Sequence, residues 1–192
     1  MKKILLLALL SILFVSCGKD SGTSSDDYNS GGDLFPIKSG NSWNYFKESE
    51  GLEATLSIGS ADTYYAWDGM DNSTRMSSST MRTDGSASAS IFDLGQRELS
   101  KQSNGVYVGW YKSGKIVTLY LLPNQPVVGT DAYGNTWSKV ESVDTKKGTF
   151  KACWKCTLGG SLSGYMIFKK GIGVVFANNI ASNSNLESYI VK

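Results

Sequence analysis

The chain contains no histidine among its 192 residues. That excludes Ser-His-Asp and Cys-His nucleophilic catalysis and removes the commonest zinc ligand. Cysteine and proline are scarce, three of each. No apolar run approaches the ~20 residues that cross a bilayer as a helix. Basic residues are not clustered either: Lys146-Lys147 and Lys169-Lys170 are isolated pairs. Nucleic acid is therefore not an expected partner, since phosphate neutralisation needs grouped Lys and Arg.

What is present begins at the N-terminus. "MKKILLLALLSILFVSC" opens on Lys2 and Lys3 and continues into a twelve-residue apolar run, Ile4 to Val15. That length suits the h-region of a secretory signal. The run ends in "FVSC", which resembles the lipobox of bacterial lipoproteins, with Ser16 as the small residue before Cys17 and Phe14 in place of the usual Leu. The resemblance implies a diacylglyceryl thioether on Cys17, cleavage before it and acylation of the new amino terminus. Each buried methylene contributes ~0.8 kcal/mol, so two or three chains make a stable membrane anchor. Residues 1–16 are then a lipoprotein signal peptide. Of the 19 Lys and Arg, loss of Lys2 and Lys3 leaves 17 against 17 Asp and Glu, so the mature chain is neutral.

Residues 17–33 follow as the lipidated Cys and a tether. Four Gly, four Ser and four Asp fill the sixteen positions after Cys17, too polar to bury a core. As a coil this stretch averages roughly 20–25 Å end to end. Residues 34–192 suit one domain.

That domain reads as β. In "LEATLSI" Leu52, Ala54, Leu56 and Ile58 share one face and Glu53, Thr55 and Ser57 the other, the period-two mark of a half-buried strand. "TFKACWKCTL" puts Phe150, Ala152, Trp154, Cys156 and Leu158 on one face and Thr149, Lys151, Cys153, Lys155 and Thr157 on the other. "VYVGWYK" and "KIVTLYLL" flank Ser113-Gly114 as a hairpin. The second of these is apolar on both faces, as a central strand would be. "SGYMIFKK", "IGVVF" and "LESYIVK" supply further strands. Only "FDLGQRELSK", residues 92–101, admits a short helix, which Gly95 disfavours, and "MSSSTMRTDGSASAS" reads equally as exposed strand or loop. The expected fold is a single antiparallel β domain, a barrel or half-barrel, with a β-sandwich as the alternative.

Gly-Asn-Ser/Thr-Trp occurs twice, at Gly40, Asn41 and Trp43 and at Gly134, Asn135 and Trp137. Each copy follows a proline-containing extended segment and leads into a strand. Gly and Asn tolerate positive φ and Trp is a largely buried residue, so the pair is read as one structural corner built twice rather than two binding sites. "FPIKSGNSWNY" also resembles the start of the folded part in a group of uncharacterised bacterial envelope lipoproteins with a Phe-Pro-Leu-x-x-Gly-Asn-x-Trp-x-Tyr pattern. "LLPNQPVVG" with Trp137, "GTFKACWK" and the closing "KKGIGVV" match its later landmarks in order. The resemblance implies an antiparallel, barrel-like fold and brings no activity with it.

Motifs that could carry chemistry are few. "CWKC" has redox spacing, but a thioredoxin-type thiol needs a helix N-terminus and this pair lies in a strand. Residues three apart there sit roughly 10 Å apart between Cα atoms, beyond disulfide reach, unless the strand is kinked. The favoured reading makes Cys156 a core thiol and Cys153 an outward one. Asp68, Asp71 and Asn72 in "WDGMDNS" lack EF-hand spacing and read as a solvated turn, and "GIGVVF" lacks the third Gly of a dinucleotide loop.

No catalytic residue, metal or cofactor is assigned. The expected protein is a lipid-anchored component of the bacterial envelope, at the outer membrane, whose β domain is a non-catalytic binding or scaffolding module. Its expected partner is an apolar small molecule or an envelope protein. The alternative is a carbohydrate-binding lipoprotein using Tyr64, Tyr65, Trp110 or Tyr111 to stack on a glycan, and a more remote one is a hydrolase with converging carboxylates.

Overall fold

The computed structural model describes residues 27–48, 51–59, 63–66, 75–84, 97–159, 164–179 and 183–192. Residues 1–26, which include the expected signal peptide and Cys17, together with Asp68, Asp71 and Asn72 and residues 92–96, lie outside the described residues. After a 3₁₀ turn at Asp27–Asn29 come thirteen strands: β1 (Ser42–Lys47), β2 (Leu52–Ile58), β3 (Thr63–Ala66), β4 (Arg75–Asp84), β5 (Arg97–Gln102), β6 (Gly105–Lys112), β7 (Lys115–Pro123), β8 (Gly129–Thr130), β9 (Thr136–Thr145), β10 (Gly148–Thr157), β11 (Gly164–Lys169), β12 (Gly173–Asn179) and β13 (Asn183–Ile190). The fold is all-β and antiparallel. "RELSKQ" extends as β5, so the short-helix expectation fails over 97–101. "RMSSSTMRTD" is strand β4.

The order of pairing is β7-β6-β5-β4-β2-β1-β13-β12-β11-β10-β9-β8, with β3 on β4. The last strand therefore pairs with the first, and consecutive strands pair with each other except at two joints, β2 to β3 and β7 to β8. β2 and β3 lie along successive stretches of β4, opposite residues 81–84 and 75–78. Five residues, 124–128, join β7 to β8. Such a link spans at most ~22 Å, whereas twelve strands laid flat at ~4.8 Å would separate the edges by ~50 Å. The sheet has to curl. The result is not a closed barrel but a curled antiparallel fold, consistent with a half-barrel or a β-sandwich, whose β7 and β8 edges are joined by the 124–128 link at a seam.

Alternation decides which side chains face inward. On β2, Ala54, Leu56 and Ile58 are buried and Glu53 is exposed. β1 buries Trp43, Tyr45 and Lys47 and half-exposes the residues between. Trp43, Tyr45, Ala54, Leu56 and Ile58 join Leu99, Val106, Val108, Tyr120, Leu122, Phe168 and Leu186 in one core cluster. Ser113 and Gly114 close the β6–β7 hairpin at φ 52° and 88°, the left-handed pair that matches strand twist. β7 is the last strand of the path and not a central one. β3 comes alongside it.

The segment before β1 is part of the fold. Tyr28 packs edge-on against Trp154 at 6.0 Å, and its carbonyl accepts the Trp154 indole N–H at 2.9 Å. The Asp33 carbonyl accepts the Gly171 N–H, while its carboxylate pairs with Lys101 on β5. Leu34 and Phe35 are buried, and Phe35 stacks on Trp43 at 5.2 Å. Residues 27–33, assigned above to the tether, thus run as a strap from β10 past the β11–β12 turn to β5.

Candidate functional site

The two Gly-Asn-x-Trp corners are built alike. Gly40 and Gly134 take φ 84° and 79°, which turns the chain sharply into β1 and β9. Asn41 and Asn135 are buried, at 0% and 3% exposure. Each amide donates back to the incoming segment, to the Pro36 carbonyl at 2.8 Å or to Asp131 at 3.2 Å. Each amide oxygen accepts a distant backbone N–H, from Lys192 or Gly159. Both Trp rings are buried, their N–H groups held by the Ile172 carbonyl and the Asp131 carboxylate. The buried Asn and Trp side chains hold the two corners together, and Trp137 also borders a groove.

Asp131 is the residue that sequence reasoning missed. Its carboxylate accepts from the Tyr133 and Asn135 N–H groups, the Asn135 amide and the Trp137 indole, all within 3.2 Å. Burial alone would raise its pKa, but the bonds from Trp137, Asn135 and Tyr133 outweigh that and hold it below its ordinary value. The legible signal was an Asp three residues before Gly-Asn, the pattern of an Asx turn.

The second corner stands at the seam. There the link 124–128 is pinned at one end: the Asn124 N–H bonds the Asn104 carbonyl, its amide bonds the Ser103 carbonyl, and Gln125 accepts from Lys170 at 3.3 Å. At the other end Gly129 and Thr130 pair with Trp137 and Thr136. Pro126 is buried between them. Held so, Val127 and Val128 stand 77% and 62% exposed, with Tyr133 nearby in sequence at 41%. Beside them an open groove of about 230 Å³ is lined by Pro123, Gln125, Val127, Val128, Gly129, Thr130, Asp131 and Trp137. No charged side chain occurs from Ile116 to Thr130, and the Asp131 carboxylate is occupied within its own turn. The groove can hold an apolar side chain or a short length of hydrocarbon.

The candidate aromatics are divided between two strands. Trp110 on β6 is 43% exposed, with the Arg97 guanidinium 5.8 Å from its ring. Tyr111 stands opposite Ile116, and Tyr64 and Tyr65 stand opposite Ser77 and Met76. Of the two β10 cysteines, Cys156 is in the core, but Cys153 is buried as well and not outward. Its thiol bonds the Phe150 and Lys151 carbonyls, and Lys169 lies close enough to act on its charge. Both thiols are unpaired. Among the described residues no group of three His, Cys, Asp or Glu could hold a metal, and no helix is long and apolar enough to cross a membrane. No protein-family model, curated protein or solved structure matches the chain.

Proposed function

We propose that this is a lipoprotein of the bacterial envelope, held at the outer membrane through Cys17, whose β domain is a non-catalytic binding or scaffolding module. Its binding element is the seam, where an apolar ligand or an apolar segment of an envelope protein enters the groove. The observation that carries this reading is the pair of fixed, exposed valines beside a groove whose one charged lining residue, Asp131, spends its carboxylate on hydrogen bonds within its own turn, on a domain whose inner face is filled by its own side chains. The motif likeness to envelope lipoproteins supports the location and says nothing of the ligand.

A photo-reactive amino acid at Val127 of the full chain, expressed in its own host, tests it. A discrete lipid or protein adduct is expected there and not with the same probe at Lys112. Identical, diffuse labelling at the two positions would overturn the reading. Carbohydrate binding is favoured by one observation, the exposed Trp110 ring beside Arg97. It requires glycan-array signals that Trp110→Ala abolishes.

A further inference from the structure

We propose that the seam link, residues 124–130, is a second membrane contact that lays this end of the domain on the lipid surface to which Cys17 is anchored. The inference rests on reading Cys17 as lipidated and names the lipid surface as the occupant of the seam. Three features of the molecule converge on it.

The first is the chemistry of the patch. Val127 and Val128 project from a link fixed at both ends, and the link itself, residues 124–130, carries no charge that would have to be desolvated in lipid. The Asp131 carboxylate that follows is held by four hydrogen bonds within its own turn. Tyr133, 41% exposed, is of the type that settles at the headgroup level with its ring inward and its hydroxyl in water.

The second is where the tether leaves the fold. Lys170, 4% exposed, donates to the Asn29 carbonyl at 3.1 Å and to Gln125 Oε1 at 3.3 Å. The strap and the seam link therefore share one ammonium group. The exit of the tether and the exposed valines lie at the same end of the domain.

The third is reach. Nine residues lie between Cys17 and Asp27, and the ten peptide steps from one to the other cannot exceed ~35 Å. The anchor keeps the seam end close to the bilayer, and a contact too weak to bind from solution becomes effective once it is intramolecular. A single apolar signal is marginal alone, and pairing signals is how peripheral anchoring becomes stable.

The test uses the full lipidated protein, purified from membranes and reconstituted into vesicles of phosphatidylethanolamine and phosphatidylglycerol. A nitroxide is placed at Val127→Cys and, as control, at Lys112→Cys, Cys153 and Cys156 being buried. The label at 127 is expected to collide with oxygen several-fold more, and with a water-soluble nickel chelate several-fold less, than the label at 112. Adding Val128→Asp is expected to return it to the aqueous pattern. A label at 127 that is aqueous from the outset, with Cys17 carrying its diacylglyceryl mass, overturns the membrane contact and leaves the anchor standing. A label shielded from both reagents means that protein covers the link, which also overturns it. An unmodified Cys17 in the mass spectrum overturns the anchor reading and this inference with it.

Discussion

Cys156 lies on the inner face of β10, paired across the sheet with Trp137 and Met166, and burial, with the Asp131 charge, pushes its thiol up to about 12. Cys153 is pushed up to about 11 by burial, with Lys169 acting in the opposite sense. Only thiolates react readily, so neither thiol is expected to react with Ellman's reagent at pH 8 until guanidinium unfolds the domain. Fast labelling of either one in the native protein would contradict their burial. Asp131 gives a second expectation, with a definite sign. A carboxyl whose folded pKa is depressed stabilises fully above its unfolded value, 3.8, and loses that contribution as pH falls through the lower folded value. Asp131→Asn is therefore expected to cost about 2 kcal/mol at pH 7, by leaving donors of Trp137 and Asn135 unmatched. The same substitution flattens the acid limb of the stability profile. Denaturant titrations at pH 7 and at pH 3 check both, and a variant that follows the wild type at both values sinks the argument.

On the scale of elements, the β9–β10 hairpin keeps a single register from Gly148–Thr145 to Thr157–Thr136 except at Ala152, which has no partner on β9. Ala152 sits at φ 51°, where an L-residue costs ~1–2 kcal/mol. Ala152→Gly is expected to raise stability by ~0.5–1 kcal/mol, and Ala152→Val, β-branched in a buried position, to lower it by more than ~2 kcal/mol. Urea midpoints of the two variants test this, and a Gly variant weaker than wild type would mean that the methyl group's packing outweighs the strain. The strand faces were legible because alternation is local: Trp154, Cys156 and Leu56 face inward as their spacing requires. Cys153 was not, because what buries it comes from elsewhere in the chain. β7 misled as well: apolar on both faces, it reads as a central strand, yet it stands at the end of the pairing path. The exposed valines of the link were visible as "PVVG", but their place at a seam depends on β13 pairing with β1, which no local pattern announces.

For the whole molecule, the boundary between tether and domain is the clearest case of composition misleading. Ser, Gly and Asp dominate residues 18–33, and the one aromatic among them, Tyr28, gave no periodic signal. Yet its carbonyl accepts the indole N–H of Trp154, a ring 2% exposed. Asn29 accepts from the buried Lys170 ammonium, and Asp33 from the Gly171 N–H. A protein beginning at residue 34 takes a partner from all three donors, leaving Lys170 only its bond to Gln125, whereas one beginning at 27 keeps them. Each lost bond to a buried group costs ~1–3 kcal/mol. Water reaches part of the vacated surface, so the sum is about 2–4 kcal/mol, or roughly 5–15 °C in Tm for a chain of this length. The exposed Asp33–Lys101 pair adds no more than ~1 kcal/mol, so Asp33→Asn in the longer protein should barely move the transition. Calorimetry of the three proteins separates the contributions. Equal transitions for the proteins starting at 27 and 34 would return residues 27–33 to the tether. A large loss from Asp33→Asn alone would shift the weight of the strap from its backbone carbonyls to one surface charge.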